Sequence, residues 1–119
     1  MNYTVVGKSV TPVDAKEKAL GTAEYVSDMR LPGMLYGKIL RSPYAHARIL
    51  EIDTSEAERI PGVKAVITFK DTPQIPFGTQ SGGPDDWYIF AKDKVRFVGD
   101  EVAAVAAVDE ETAEKALRH

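Results

Sequence analysis

Met34-Leu35-Tyr36-Gly37-Lys38-Ile39-Leu40-Arg41-Ser42-Pro43-Tyr44-Ala45-His46-Ala47-Arg48-Ile49-Leu50-Glu51-Ile52-Asp53 is the stretch that decides the fold. Apolar-rich arms flank Ser42-Pro43. In the second arm apolar and polar residues alternate from Ala47 to Asp53, which predicts a half-buried strand. Pro43 fixes its own φ and pushes Ser42 towards extended geometry. The chain is therefore expected to make a wide turn here, or to cross between strands, rather than close a two-residue hairpin. Leu31-Pro32-Gly33 signals a turn before the stretch, and Thr54-Ser55-Glu56-Ala57 starts a helix after it. The whole reads as strand, turn, strand, helix.

Outward from this unit the same rules apply. Tyr3, Val5 and Val6 make a short strand or pack across another element. Asp14 caps a helix over residues 15–20, and Gly21 ends it where a left-handed residue is needed. Tyr25 and Val26 begin a brief extended piece. Thr54 or Ser55 caps a helix that Pro61-Gly62 stops. Residues 63–69 form a strand with Val63, Ala65, Ile67 and Phe69 on one face and Lys64, Val66 and Thr68 on the other. Residues 71–86, rich in proline and glycine, form an irregular excursion. Trp87 to Phe90 bring the chain back as an aromatic strand or anchor. Residues 94–98 alternate as a strand, Gly99-Asp100 turns, and the run Val102 to Val108 is a buried central strand whose alanines let a helix approach closely. Asp109 caps the last helix. That helix reaches Arg118-His119 with no stop signal, so the chain is expected to be a piece of something longer.

Composition narrows the class. A chain of 119 residues fits one domain and can bury roughly 65% of its unfolded surface, enough for a core without staples. Hydrophobic residues make up 44% and charged ones 28%, which are globular values. The net charge of −3, with acidic residues spread along the chain, leaves no electrostatic footprint for nucleic acid. The absence of cysteine excludes disulfides, thiolate zinc or Fe–S ligation and a cysteine nucleophile within these residues. No apolar run approaches the length of a membrane span. A cytoplasmic setting is expected.

The search for chemistry finds single residues without partners. His46 would need a carboxylate or a second ligand, and Arg41 and Arg48 flank it instead, so it reads as a turn histidine. Arg41, Ser42, Tyr44 and Arg48 suit an anion, yet alternation points the two arginines different ways and surface positions account for them. Gly78-Thr79-Gln80-Ser81-Gly82-Gly83 lacks the lysine and the helix of a phosphate loop. Asp85-Asp86 and Glu110-Glu111 lack the oxygen spacing of a calcium loop, and the second pair is explained by the helix dipole. Trp87 to Phe90 read as core rather than as a ligand platform. From these residues alone the chain is a soluble α/β domain with no catalytic, cofactor-binding or metal-binding residues.

Motifs in fixed order add more. They are Val6-Gly7-Lys8-Ser9-Val10; Asp14-Ala15-Lys16-Glu17-Lys18-Ala19-Leu20-Gly21; Leu31-Pro32-Gly33-Met34-Leu35; Arg41-Ser42-Pro43-Tyr44-Ala45-His46-Ala47-Arg48-Ile49; Ile52-Asp53-Thr54-Ser55; Pro61-Gly62-Val63; and Asp93-Lys94-Val95-Arg96-Phe97-Val98-Gly99 with the run after it. Together they resemble the N-terminal α/β hammerhead domain of the molybdenum-binding large subunit of xanthine dehydrogenases and aldehyde oxidases. Tyr44 stands where that family commonly has histidine, and Asp100-Glu101 replaces an acid or amide followed by proline; both leave the fold expectation intact. The resemblance implies an α+β fold, a mixed sheet with short helices packed on it, over a single domain 1–119 of a larger subunit. It implies a parent that uses molybdopterin to place a water-derived oxygen on a heteroaromatic ring or aldehyde, or that runs a reductive dehydroxylation. Electrons would pass through Fe–S clusters to FAD or another acceptor on partner domains or subunits. The pterin contacts and the catalytic glutamate of the family lie in the domains that follow, so none is carried onto this chain. Its implied role is structural, against the molybdenum domains and the subunit interface. A stand-alone ligand- or peptide-binding module using residues 71–86 and Trp87 to Phe90 is the alternative. A small hydrolase is a third reading, without a nucleophile and base to pair.

Overall fold

The alanine–valine run lies between two other strands in the computed structural model, which describes residues 3–78 and 85–119. Contacts divide the chain into two compact units, Met1–Pro32 and Gly33–His119.

The first unit holds α1, Ala15–Leu20, closed by Gly21 at φ 70°. Asp14 occupies the N-cap position, but its carboxylate turns to Lys18 Nζ at 2.5 Å instead of to a main-chain N–H. Charge attraction one helical turn along wins over the cap. The expected extended piece at Tyr25-Val26 is a single 3-10 turn, Val26–Asp28, because the Tyr25 N–H donates to Asp28 Oδ2 at 3.0 Å and bends the chain. Tyr3, Val5 and Val6 form no strand; the Lys8 N–H donates to the Val5 carbonyl in a turn.

The second unit runs β1 (Tyr36–Arg41), β2 (Ala47–Arg48), α2 (Ser55–Arg59), β3 (Val63–Thr68), β4 (Lys94–Val95), β5 (Glu101–Ala107) and α3 (Glu110–Ala116). One sheet has the order β1-β5-β3, and β2 pairs with β4 in a second. The α+β class stands as expected, but every described strand pair is antiparallel, not mixed. The reason is topological. β1 and β3 run the same way, and β5 inserts between them in the opposite sense. The arms around Ser42-Pro43 do not pair with each other: β1 goes to β5, β2 to β4. The predicted crossing is therefore a change of sheet. The strand regularity expected over residues 47–53 and 94–98 shrinks to two residues on each side, after which the Ile49 N–H donates to the Asp93 carbonyl at 2.9 Å.

Packing follows the strand period, with one interruption. Ala103, Val105 and Ala107 of β5 are buried, while Val102, Ala104 and Ala106 are half-buried. Ala57 of α2, Val105 and Ala116 of α3 form a core to which Ile60, Val63, Val66 and Leu117 add. Alanines at these contacts let α3 sit close on the sheet, where Ala107 and Ala113 lose all exposure. In β3 the expected faces are reassigned. The register slips between Val63 and Ala65, and a residue inserted into one strand reverses the alternation after it. Val63, Val66 and Thr68 thus share the inner face, and Ile67 turns outward.

Turn chemistry fixes the helix ends. Asp109 Oδ1 accepts from the Thr112 N–H at 2.7 Å, as a cap requires. At α2 the position of Thr54 is right, but its hydroxyl donates to Glu58 Oε1 at 2.6 Å, and Asp53 accepts from the Ser55 N–H instead. Gly62 sits at φ 99° between α2 and β3, and a Cβ there would lie 3.0 Å from Val108 Cγ2 and 3.3 Å from Thr112 Cγ2. Gly62→Ala combines a left-handed strain with a clash against β5's exit and α3. It is expected to cost about 1–3 kcal/mol, read as a lower urea midpoint; an unchanged midpoint would contradict the packing described.

Candidate functional site

The turn at Ser42 is built into the fold on all sides. Ser42 is a polar residue buried to 6% exposure. Its N–H donates to the Asp100 carbonyl at 2.9 Å, and its own carbonyl accepts from the Gly99 N–H at 2.8 Å. Its Oγ accepts from the Tyr44 N–H and donates to the Tyr44 carbonyl, both at 3.0 Å, closing the turn on itself. Arg41 reaches over this junction to the Gly99 carbonyl and the Glu101 carboxylate. On the far side Asp100 Oδ2 accepts from the Arg96 N–H at 2.8 Å, and the Ala91 N–H donates to the Glu101 carbonyl at 2.7 Å. Two motifs 58 residues apart thus clamp one another. Nothing in the local sequence signals that pairing.

Arg41 and Arg48, expected to point different ways, line one open trough together with Tyr44, Ile49, Leu50 and Glu51. The change of sheet between them means that alternation along a single strand does not apply. No anion site follows, however. Arg41 is held by Glu101, and Asp53 and Glu51 on the same wall offset the positive charge. His46 is exposed in the turn. Trp87 and Phe97 meet at 5.7 Å beside Arg96 in a second depression, and Phe77 and Trp87 exchange main-chain hydrogen bonds. Phe90 is buried, and Phe69 meets Tyr88 edge-on at 5.3 Å. The segment read as core is so only in part: Phe90 anchors it, while Trp87 and Ile89 stay 45% and 47% exposed because the chain runs along the edge of the fold there. Asp85 and Asp86 are exposed, and Glu110 pairs with Lys38. Of the glycine-rich stretch, residues 79–84 lie outside the described residues.

The described residues converge on no site shaped for a molybdopterin. Among the described residues no group of three or more His, Cys, Asp or Glu side chains converges. No buried side-chain N or O among them lacks a hydrogen-bond partner.

The fold has a known counterpart. Residues 20–119 match the family model described as aldehyde oxidase and xanthine dehydrogenase, a/b hammerhead domain. The chain belongs to this hammerhead family. It is 48% identical over 105 residues to a probable xanthine dehydrogenase subunit of Bacillus subtilis, covering 87% of this chain and 14% of the relative. It is 39% identical over 117 residues to the nicotinate dehydrogenase large molybdopterin subunit of Eubacterium barkeri, covering 98% and 27%. The solved quinoline 2-oxidoreductase of Pseudomonas putida superposes with a TM-score of 0.83 at 35% identity, over 94% of this chain and 15% of that one. The hammerhead chain thus spans about one-seventh to one-quarter of these relatives. One of them is a large molybdopterin subunit and another a probable dehydrogenase subunit, and no described helix of the hammerhead is long and apolar enough to cross a membrane.

The titratable groups that shift are structural as well. Main-chain N–H donors at Ser55, Thr68 and Thr112 hold the carboxyls of Asp53, Asp71 and Asp109 below the ordinary range. A carboxyl with a lowered folded-state pKa contributes its stability above about pH 4 and loses it as pH falls through the lowered value. Lys38 runs the other way. Its hydrogen bond to Glu110 raises its pKa, so its contribution holds below about pH 10 and fades as pH rises through the raised value. Asp109→Asn keeps a capping side chain but removes the titration. Its urea midpoint is expected to fall less steeply than the wild type's between about pH 5 and pH 2, and an acid limb of unchanged slope would contradict the cap's role.

Proposed function

We propose that this chain is the hammerhead domain, residues 1–119, of a longer molybdopterin-dependent oxidoreductase subunit, and that it serves that enzyme structurally. The parent hydroxylates a heteroaromatic ring or an aldehyde, and Fe–S and FAD domains or subunits carry the electrons away, in the cytoplasm. No residue of this chain touches the reacting atoms. The hammerhead supports the molybdenum domains and helps form the subunit interface.

The observation that carries this reading is the mutual clamp of Arg41-Ser42 on Gly99-Asp100-Glu101. Arg41-Ser42 and Gly99, which belong to the motifs of the family likeness, spend their polar groups on each other and on the neighbouring Asp100-Glu101. Side chains committed in this way hold a shape and are not available as nucleophile, base or ligand. The relatives support the identity of the parent, since they include molybdopterin and molybdenum-binding subunits.

Elemental analysis tests it. The full product of the gene, purified from its native host with what accompanies it, is expected to contain molybdenum and iron, while the 119-residue chain alone contains neither. A full product lacking molybdenum would overturn the assignment of the parent. Molybdenum retained by the isolated chain would overturn its purely structural role.

A further inference from the structure

The helices α2 and α3 cover one face of the β1-β5-β3 sheet, and the other face carries no charged residue at its centre. Register fixes its members. Ala106 lies between Gly37 and Ala65, and Ala104 lies between Ile39 and Ile67. Residues directly opposite one another point to the same side of a sheet. These six therefore form one apolar surface, opposite to that of Val105, Val66 and the Lys38 that reaches α3. Ile39 is 44% exposed and Ile67 40% exposed. At one end the Arg41–Glu101 ion pair closes the surface.

We infer that this face seats an apolar α-helix from the rest of the large subunit, an inference that rests on the function proposed above. Shape gives the first reason. The central strand presents only alanine methyls, while isoleucines rise on both neighbours. Strands about 4.8 Å apart place those isoleucines about 10 Å from each other, a trough of the width of a helix. Size gives the second. The two rows span about 200 Å², well short of the roughly 800 Å² per partner of a stable independent complex. A second copy of the chain would gain too little here to stay bound. A helix on the same polypeptide has its encounter largely prepaid by the tether, so a small apolar contact suffices. Length gives the third. The relatives carry most of their chain outside the matched region, 86% in the Bacillus subtilis protein by difference from the 14% covered. A sheet clad by helices on both sides is also the ordinary way to bury both of its apolar faces.

Thiol footprinting of the full gene product tests the seat, because the chain itself brings no cysteine. Ile39→Cys and Ile67→Cys are introduced one at a time, and alkylation by iodoacetamide at that peptide is followed by mass spectrometry. Molybdenum is measured in the same samples. Access controls thiol reactivity, so each site is expected to react at least about tenfold more slowly in the native enzyme than after unfolding in guanidinium. The exposure of 40–44% in this chain alone allows only about a twofold difference. A twofold difference in a product that holds molybdenum would overturn the seat and leave the proposed function standing. A wild-type product without molybdenum would overturn both. Ala65→Cys, a smaller change on the same face, carries the test if an isoleucine variant loses its molybdenum.

Discussion

The insertion of β5 between β1 and β3 is the constraint on which the hammerhead depends. The outer strands share no hydrogen-bonded ladder with each other, so without β5 there is no sheet for α2 and α3 to cover. β5 can hold this place because its side chains are small. Ala103 and Ala107 leave room for α3, and Val105 supplies the bulk at the centre of the core. Gly62 then folds the chain tightly against β5's exit, its carbonyl accepting from the Val108 N–H at 3.0 Å. A larger residue at any of these points would push a helix off the sheet.

The entry to β5 is fixed by the clamp at Ser42, and here structure meets function. Main-chain hydrogen bonds in both directions tie Ser42 to the Gly99-Asp100 turn, so the end of β1 and the start of β5 are set by one junction. Glu101 adds its carboxylate to Arg41 and its carbonyl to the Ala91 N–H. The junction also aims the chain from the three-stranded sheet into the β2–β4 pair. The polar groups at this junction are thus spent on holding the shape of the domain, in keeping with the structural role proposed for it.

Much of this was legible in the residues. Gly21, the Asp109 cap and the buried run after Gly99 are local signals, each set by the backbone needs of a few neighbouring residues. What escaped was non-local. The slip at Lys64, which turns Ile67 outward, depends on the partner strand and leaves no mark in an alternating sequence. The shortness of β2 depends on β4, a distant part of the chain, and the clamp of Ser42 on Asp100 depends on a fold already formed. Asp14 and Thr54 were misread for a different reason: their side chains had a better partner one helical turn away, in Lys18 and Glu58.

The central claim is that the residues carrying the family likeness hold the fold together. Ser42→Ala tests it most directly, because it removes one buried hydroxyl and changes nothing else of size. The Tyr44 N–H would lose its acceptor in a closed turn, and urea unfolding is predicted to show a loss of about 1–2 kcal/mol. A midpoint equal to the wild type's would contradict the claim and return Ser42 to the residues whose purpose has to be sought in chemistry.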